Sequence, residues 1–172
     1  MSDKDSVNKQ PARTDAFHPV DSPFGKLIIV SDGDAITCIK HEDKIISIDE
    51  HRSDELTSKA AAELKEYFSG KRRHFDLPLR PQGTTFQRSV WKALSEIPYG
   101  ETRSYKQIAQ AVGNPKACRA VGLANNKNPI WILIPCHRVI GSNGELTGYG
   151  GGLDMKKNLL ESEKVNNEER NN

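Results

Sequence analysis

The sequence is poor in cysteine, in aromatic residues and in long apolar runs. Its three cysteines, Cys38, Cys118 and Cys136, have neither CxxC spacing nor metal-like grouping, which argues against a disulfide framework and a zinc finger. No apolar stretch approaches the roughly 20 residues that cross a bilayer, so no membrane partner is expected. The opening MSDKDSVNKQPARTD has no apolar block behind its charges, which predicts a cytoplasmic protein without a secretory signal. His18, His41, His51 and His74 are scattered without metal-ligand spacing, and neither a metal nor another cofactor is expected. A strong charge of one sign is also missing, since the net charge is only +2. What remains is a chain of 172 residues, enough for one ordinary domain or two small ones.

The distribution of charge says more than its total. Met1 to Gly83 carries 13 Lys and Arg against 15 Asp and Glu, whereas Thr84 to Leu160 carries 10 against 4. The last stretch, Glu161 to Asn172, returns to 2 against 4. A basic block between acidic neighbours suits a polyanion such as nucleic acid, with salt-sensitive binding; it suits a solvated basic face about as well.

Residues 1–17 and 164–172 are polar and aperiodic and are expected to be disordered. Between them, residues 18–80 predict a small α/β domain. KLIIV, AITCIK and KIISID alternate like short antiparallel strands, with Ser31-Asp32-Gly33-Asp34 as a turn. After Ser53 as N-cap, Leu56, Ala60, Leu64 and Phe68 recur at helical spacing until Gly70. FDLPLRPQG reads as a linker or extended crossover.

A second unit, 84–163, has a different texture. Thr84 and Gln87 form a capping box before the apolar stripe Phe86, Val90, Ala93, Leu94 and Ile97. Ser104 and Gln107 form another, opening a short helix that stops at Gly113; Asn114-Pro115 is expected to restart the next. Two short helices around a Gly turn make the pattern of a helix-turn-helix, although helical hairpins without DNA are common. The second of these helices is slim, with Ala117, Ala120, Gly122 and Ala124 around the long cation Arg119.

The apolar run Ile130 to Ile134 predicts a buried strand or extended core segment, and Cys136-His137-Arg138 follows it directly. Ionisable groups between two apolar stretches are costly to bury without partners. A thiol beside His and Arg is placed for a lowered pKa and a reactive thiolate; a structural cysteine with incidental neighbours fits the bare dipeptide as well. Beyond it, Leu146 to Gly152 is a loop of little bulk whose backbone N–H groups can approach a ligand. Glu163 stands near the end of the last helix, where a carboxylate opposes the dipole and calls for a partner.

The stretch from TTFQRSVWKALSEIPYG through IPCHRV to GYGGGLDMKKNLLESE closely resembles the O6-alkylguanine-DNA alkyltransferases, almost continuously over Thr84 to Glu163. The motif Ile134-Pro135-Cys136-His137-Arg138-Val139 is far more specific than any dipeptide. The resemblance implies an α/β ribonuclease-H-like N-terminal domain and a mainly α C-terminal domain with a winged helix-turn-helix. It implies that Cys136 accepts an alkyl group from guanine O6, that Glu163 orients His137, and that His137 takes the thiol proton through a water. Tyr105 would help protonate the departing guanine, and Asn128 would brace the active-site turn.

Further roles follow from the same resemblance. Trp131, Pro135, Val139, Tyr149, Gly150 and Gly151 would form the base pocket, with the Gly150 N–H facing O6. Arg119 would fill the gap left by a flipped nucleotide, on a helix lying in the minor groove of double-stranded DNA. Ser104, Lys106, Asn114, Ala120, Gly122 and Ser142 would join it at the DNA. The implied protein is a monomer without an obligate protein partner, acting on O6-methylguanine with O4-methylthymine as a second candidate. Gly150 without a hydroxyl, the bulky Trp131, Asn125 and Cys118 depart from the pattern of some relatives.

Overall fold

The computed structural model describes residues 15–45 and 52–172. An antiparallel sheet opens the fold, in the order β1 (Ala16–Ser22), β2 (Gly25–Ser31) and β3 (Ile36–His41). Val20 pairs with Leu27 and Ile29 with Ile39 across it. The helix α1 (Glu55–Phe68) lays Ala60, Ala61, Leu64 and Tyr67 inward. Its N-cap is Asp54 rather than the expected Ser53, because Asp54 and Thr57 exchange the two capping bonds, at 2.7 and 3.0 Å. Such a cap contributes about 1 kcal/mol.

β1 was not anticipated, and it reaches back to Ala16, inside the segment expected to be disordered. It lies at the sheet edge, where Pro19 is tolerated because one row of N–H groups need not pair. Residues 1–14 and most of the expected strand KIISID lie outside the described residues. Of that strand only Lys44, which closes the 3-10 turn Glu42–Lys44, and the extended Ile45 are described.

The free edge of β3 is covered by two later segments, the linker and the stretch before Cys136. Ile36 N donates to Pro78 O at 2.8 Å and Arg80 N to Ile36 O at 2.8 Å, so the linker runs alongside as an extra strand. One turn further, Ile39 N donates to Pro129 O at 2.9 Å and Trp131 N to Ile39 O at 3.1 Å. The sheet therefore holds the segment that leads into Cys136.

The second half contains α2 (Thr85–Ser95), β4 (Arg103–Ser104), α3 (Tyr105–Ala111), α4 (Cys118–Asn126), β5 (Val139–Ile140) and α5 (Leu153–Asn171). Both expected capping boxes close, with Thr84 and Gln87 bonded at 3.1 and 2.9 Å and Ser104 and Gln107 at 3.1 and 2.8 Å. The start of α4 differs: Asn114 to Ala117 form a turn, with Ala117 N on Asn114 O at 3.0 Å, and the helix begins at Cys118. The tail expected to be disordered from residue 164 is helical to Asn171. It is held by polar contacts: Arg73 donates to Asn167 Oδ1 at 2.7 Å and Asn166 Nδ2 donates to the Tyr99 hydroxyl at 3.1 Å.

One hydrophobic cluster joins both halves, from Leu27 and Ile39 through Leu64 and Trp91 to Val139 and Leu159. Among the described residues no helix is long and apolar enough to cross a membrane.

Candidate active site

The run Ile130 to Ile134 is not a strand but a tight turn. Ile134 N bonds Ile130 O at 3.1 Å, and Ile132 has φ 74°, the one positive value at a non-glycine among the described residues. A β-branched residue there carries strain of about 1–3 kcal/mol and persists only where its surroundings enforce it. Asn128 does the enforcing: its Oδ1 accepts from Ile130 N at 3.0 Å and its Nδ2 donates to Ile134 O at 2.8 Å. The chain leaves this turn as a single 3-10 turn, Cys136–Arg138, whose exit strand β5 pairs with β4 in parallel.

His137 and Arg138 both reach Glu163, on the inward face of α5. His137 Nε2 lies 2.7 Å from Glu163 Oε1, and Arg138 donates Nη2 to Oε1 and Nε to Oε2, each at 2.9 Å. Tyr67 donates its hydroxyl to Oε1 at 2.7 Å, and Gly100 N approaches Oε2 at 3.3 Å. Glu163 is only 1% exposed. Burial pushes its carboxyl up, but His137 and the bidentate Arg138 outweigh that and hold it well below the usual carboxylate range. Glu163 is also not near a helix end as expected: α5 continues to Asn171, so Arg138 rather than the dipole decides its state.

Burial pushes the His137 imidazole below its ordinary 6.5, against the pull of Glu163. The ring is therefore neutral at neutral pH, with Nε2–H on Glu163. Nδ1, the other nitrogen, has no hydrogen-bond partner among the described residues. A neutral imidazole oriented by a carboxylate, with its second nitrogen free, is the arrangement of a general base.

Cys136 is 2% exposed, and its Sγ does not have the lowered pKa expected from its neighbours. Burial pushes it up to about 11, despite a hydrogen bond from Asn128 and the charge of Lys156. The reason is geometric: the Arg138 guanidinium is committed to Glu163, so it does not stabilise a thiolate. At rest the group is a thiol and needs a base.

Lys156 escaped the sequence reading. It is fully buried on α5, with Nζ donating to Thr147 O at 2.8 Å and lying 3.5 Å from the Tyr105 hydroxyl. Burial lowers its pKa to about 8, while Cys136 pulls it back up. Tyr105 donates to Thr147 O at 2.9 Å, which ties the glycine loop to α3. Tyr149 of that loop lies against Trp131 of the Ile130–Ile134 turn, ring centroids 5.8 Å apart. A Cβ on Gly150 would come within 3.0 Å of Trp131, and one on Gly151 within 2.5 Å of Met155. The bulky Trp131 and the bare Gly150 thus fit each other. Pro135 and Val139 are buried beside the thiol turn.

On the opposite side of α3 and α4, Arg119, Ala120, Lys106, Asn114 and Ser142 are exposed, and Ser104 is half-buried at its cap. A Cβ on Gly122 would meet nothing closer than Tyr105 at 3.9 Å, so packing inside the chain does not demand a glycine there. Exposed Leu123 lies one turn beyond Arg119 on the same helix.

Models described as 6-O-methylguanine DNA methyltransferase, ribonuclease-like domain and DNA binding domain match residues 17–81 and 85–165. The methylated-DNA--protein-cysteine methyltransferase of Methanosarcina barkeri is 52% identical over 154 residues, covering 86% of this chain and 96% of the relative. The chain belongs to the 6-O-methylguanine DNA methyltransferase family. Within that family, the constitutive methylated-DNA--protein-cysteine methyltransferase of Bacillus subtilis is 46% identical, covering 90% of this chain and 98% of its own. A crystal structure of Mycobacterium tuberculosis OGT in complex with DNA matches with a TM-score of 0.82 at 47% identity, over 88% of this chain and 94% of that one. The two-domain architecture of the family, a ribonuclease-like sheet domain and a mainly helical DNA-binding domain, is the one described above.

Sequence reasoning missed three members of the site. Arg138 was visible as part of a costly polar triplet, and its need for a buried partner was the available signal. Tyr67 falls three residues after Leu64 on the inward stripe of α1, where an aromatic reads as core. Lys156 gave no signal, since it sits beside Met155 on a helix face that otherwise reads as apolar.

Proposed function

We propose that this chain is a direct-reversal DNA repair protein that moves the methyl group of O6-methylguanine in double-stranded DNA onto its own Cys136. The observation that carries this reading is the buried thiol turn itself: Cys136 beside a neutral His137 that is locked onto Glu163, in a chain half identical to methylated-DNA--protein-cysteine methyltransferases.

The target oxygen lies inside the stacked duplex, so the nucleotide is flipped out to reach the thiol. His137 Nδ1 takes the Cys136 proton through a water. The sulfur then attacks the methyl carbon in line: the S–C bond forms, the C–O6 bond breaks, and the electron pair moves into the guanine ring. Tyr105 supplies a proton to a ring nitrogen so that neutral guanine leaves, and the Lys156 ammonium at 3.5 Å steadies the phenol oxygen as it does so. The net change is one thiol proton exchanged for one methyl. Asn128 keeps the strained turn closed around the sulfur, while Gly150 and Gly151 let the glycine loop pack directly against Trp131 and Met155. The product is a thioether, which water does not cleave, so each molecule acts once.

The exposed face of α4 enters the minor groove, where the small side chains of Ala120 and Gly122 allow close approach and Arg119 takes the place of the flipped base. Ser104, Lys106, Asn114 and Ser142 contact the backbone around it. The protein works as a monomer in the cytoplasm without a metal or cofactor. Arg119→Ala is expected to slow repair of duplex DNA on the order of 10-fold or more, since unstacking costs a few kcal/mol. Reaction with free O6-alkylguanine should be little changed; equal losses on both substrates in single-turnover assays would remove Arg119 from the gap.

Intact-protein and peptide mass spectrometry after mixing with excess duplex carrying one O6-methylguanine tests the whole reading. One methyl on the peptide containing Cys136, stopping at one equivalent with guanine restored, is expected. Tight binding without any mass change would instead make the chain a damage sensor.

A further inference from the structure

We propose that Tyr67, on α1 of the sheet domain, is a positioning residue for the transfer, its hydroxyl fixing the orientation of Glu163 and moderating its pull on His137. This rests on the roles given above to Cys136, His137 and Glu163. Tyr67 is a buried side chain, 96 residues distant in sequence, and its hydroxyl lies 2.7 Å from Glu163 Oε1. Its ring is fixed from two sides, by Phe75 at 5.5 Å and by Tyr99 at 6.2 Å between centroids. The donor is therefore held in place by rings from both halves of the chain.

Oε1 is the oxygen that also faces His137 Nε2, at 2.7 Å, and Arg138 Nη2, at 2.9 Å. A carboxylate oxygen offers about two lone-pair directions, so three donors share what two would fill. Each bond from Tyr67 or Arg138 withdraws charge that would otherwise stabilise an imidazolium. Tyr67 remains a donor throughout, because burial, with Glu163 beside it, pushes its own ionisation well above the usual tyrosine range. The other titratable or charged groups around the pair are Arg138, stacked on Tyr99, together with Lys156, Cys136 and Tyr149. All of them stay in place when only the Tyr67 oxygen is removed.

Tyr67→Phe keeps the ring and deletes the donor. Glu163 Oε1 then binds His137 Nε2–H more strongly, and the imidazole holds a proton to higher pH. The acid limb of the transfer rate is expected to rise by about half to one pH unit. At a fixed pH on the acid limb transfer slows several-fold, and the two proteins converge on the plateau above it. Leu64→Ala, which trims a fully buried side chain from the same helix, serves as the packing control.

The test is a titration of the His137 ring nitrogens by 15N NMR in the full-length wild type, Tyr67→Phe and Leu64→Ala, with single-turnover transfer from a methylated duplex over the same pH range. The expected result is a joint rise of the His137 midpoint and the acid limb in Tyr67→Phe, while Leu64→Ala lowers only the melting temperature. An unmoved His137 midpoint, or a rate loss equal at every pH, overturns the proposal. A wild type that takes no methyl on Cys136 would defeat the transfer reading instead, and the NMR midpoints would still decide whether Tyr67 governs His137.

Discussion

Cys136→Ala is expected to abolish methyl transfer entirely while leaving affinity for duplex DNA and the fold intact. The other sulfurs are poor substitutes. Cys38 sits in β3, where burial raises its pKa, and the half-buried Cys118 lies on α4 with its Sγ 3.9 Å from Pro115 O. Neither stands beside an imidazole locked onto a carboxylate. The loss should be complete because the step is a bond to sulfur rather than a stabilisation that other groups can share. Stability should change by no more than about 1 kcal/mol, since only one buried atom is removed. Intact mass after incubation with methylated duplex, paired with a gel-shift assay, checks both halves. A methyl still acquired by the Ala variant would place the acceptor elsewhere.

Arg138→Ala carries the second large effect, this time on stability. Glu163 and Arg138 are 1% and 8% exposed in their side chains, and the guanidinium engages both carboxylate oxygens. Removing one partner of such a buried pair costs about 3–5 kcal/mol, because the other charge is left without compensation. For a chain of this size that lowers the melting temperature by on the order of 10 °C. Adding Glu163→Gln should recover part of the loss, since a neutral amide needs no counter-charge. A denaturation midpoint unchanged in Arg138→Ala would contradict this account of the network.

The pH dependence of stability follows from the same groups. Glu163 is depressed in the folded state, so its contribution is present above the ordinary 4.5 and is lost as pH falls below it. His137 is depressed from 6.5, so the unfolded chain takes up a proton first as pH drops through that value. Both effects act in one direction: wild-type stability declines on acidification from about pH 6.5 downward. In Arg138→Ala the carboxyl moves back up, so the Glu163 share of that acid sensitivity shrinks while the whole curve sits lower.

Much of the second half was legible because its signals are local. The capping boxes at Thr84 and Ser104, the stop at Gly113 and the slim helix around Arg119 each depend on residues within one or two turns. The Cys136-His137 pair announced itself by the cost of burying it. What stayed hidden depends on distant partners. β1 contains Pro19 and polar residues, and only its pairing with β2 makes it a strand. The end of α5 has no apolar stripe, and it is ordered by Arg73 and Tyr99, which hydrophobic periodicity does not register. The pKa of Cys136 was misjudged for a similar reason: Arg138 is adjacent in sequence, yet its charge is spent on Glu163.

The edge of β3 bears on how this protein can be taken apart. Ile39 exchanges backbone hydrogen bonds with the Pro129–Trp131 segment, a few residues before Cys136. The sheet is thus not a cassette that could be trimmed away or swapped for another fold. A shortened version would have to rebuild that strand edge, or choose a different way to keep Ile132 in its left-handed turn.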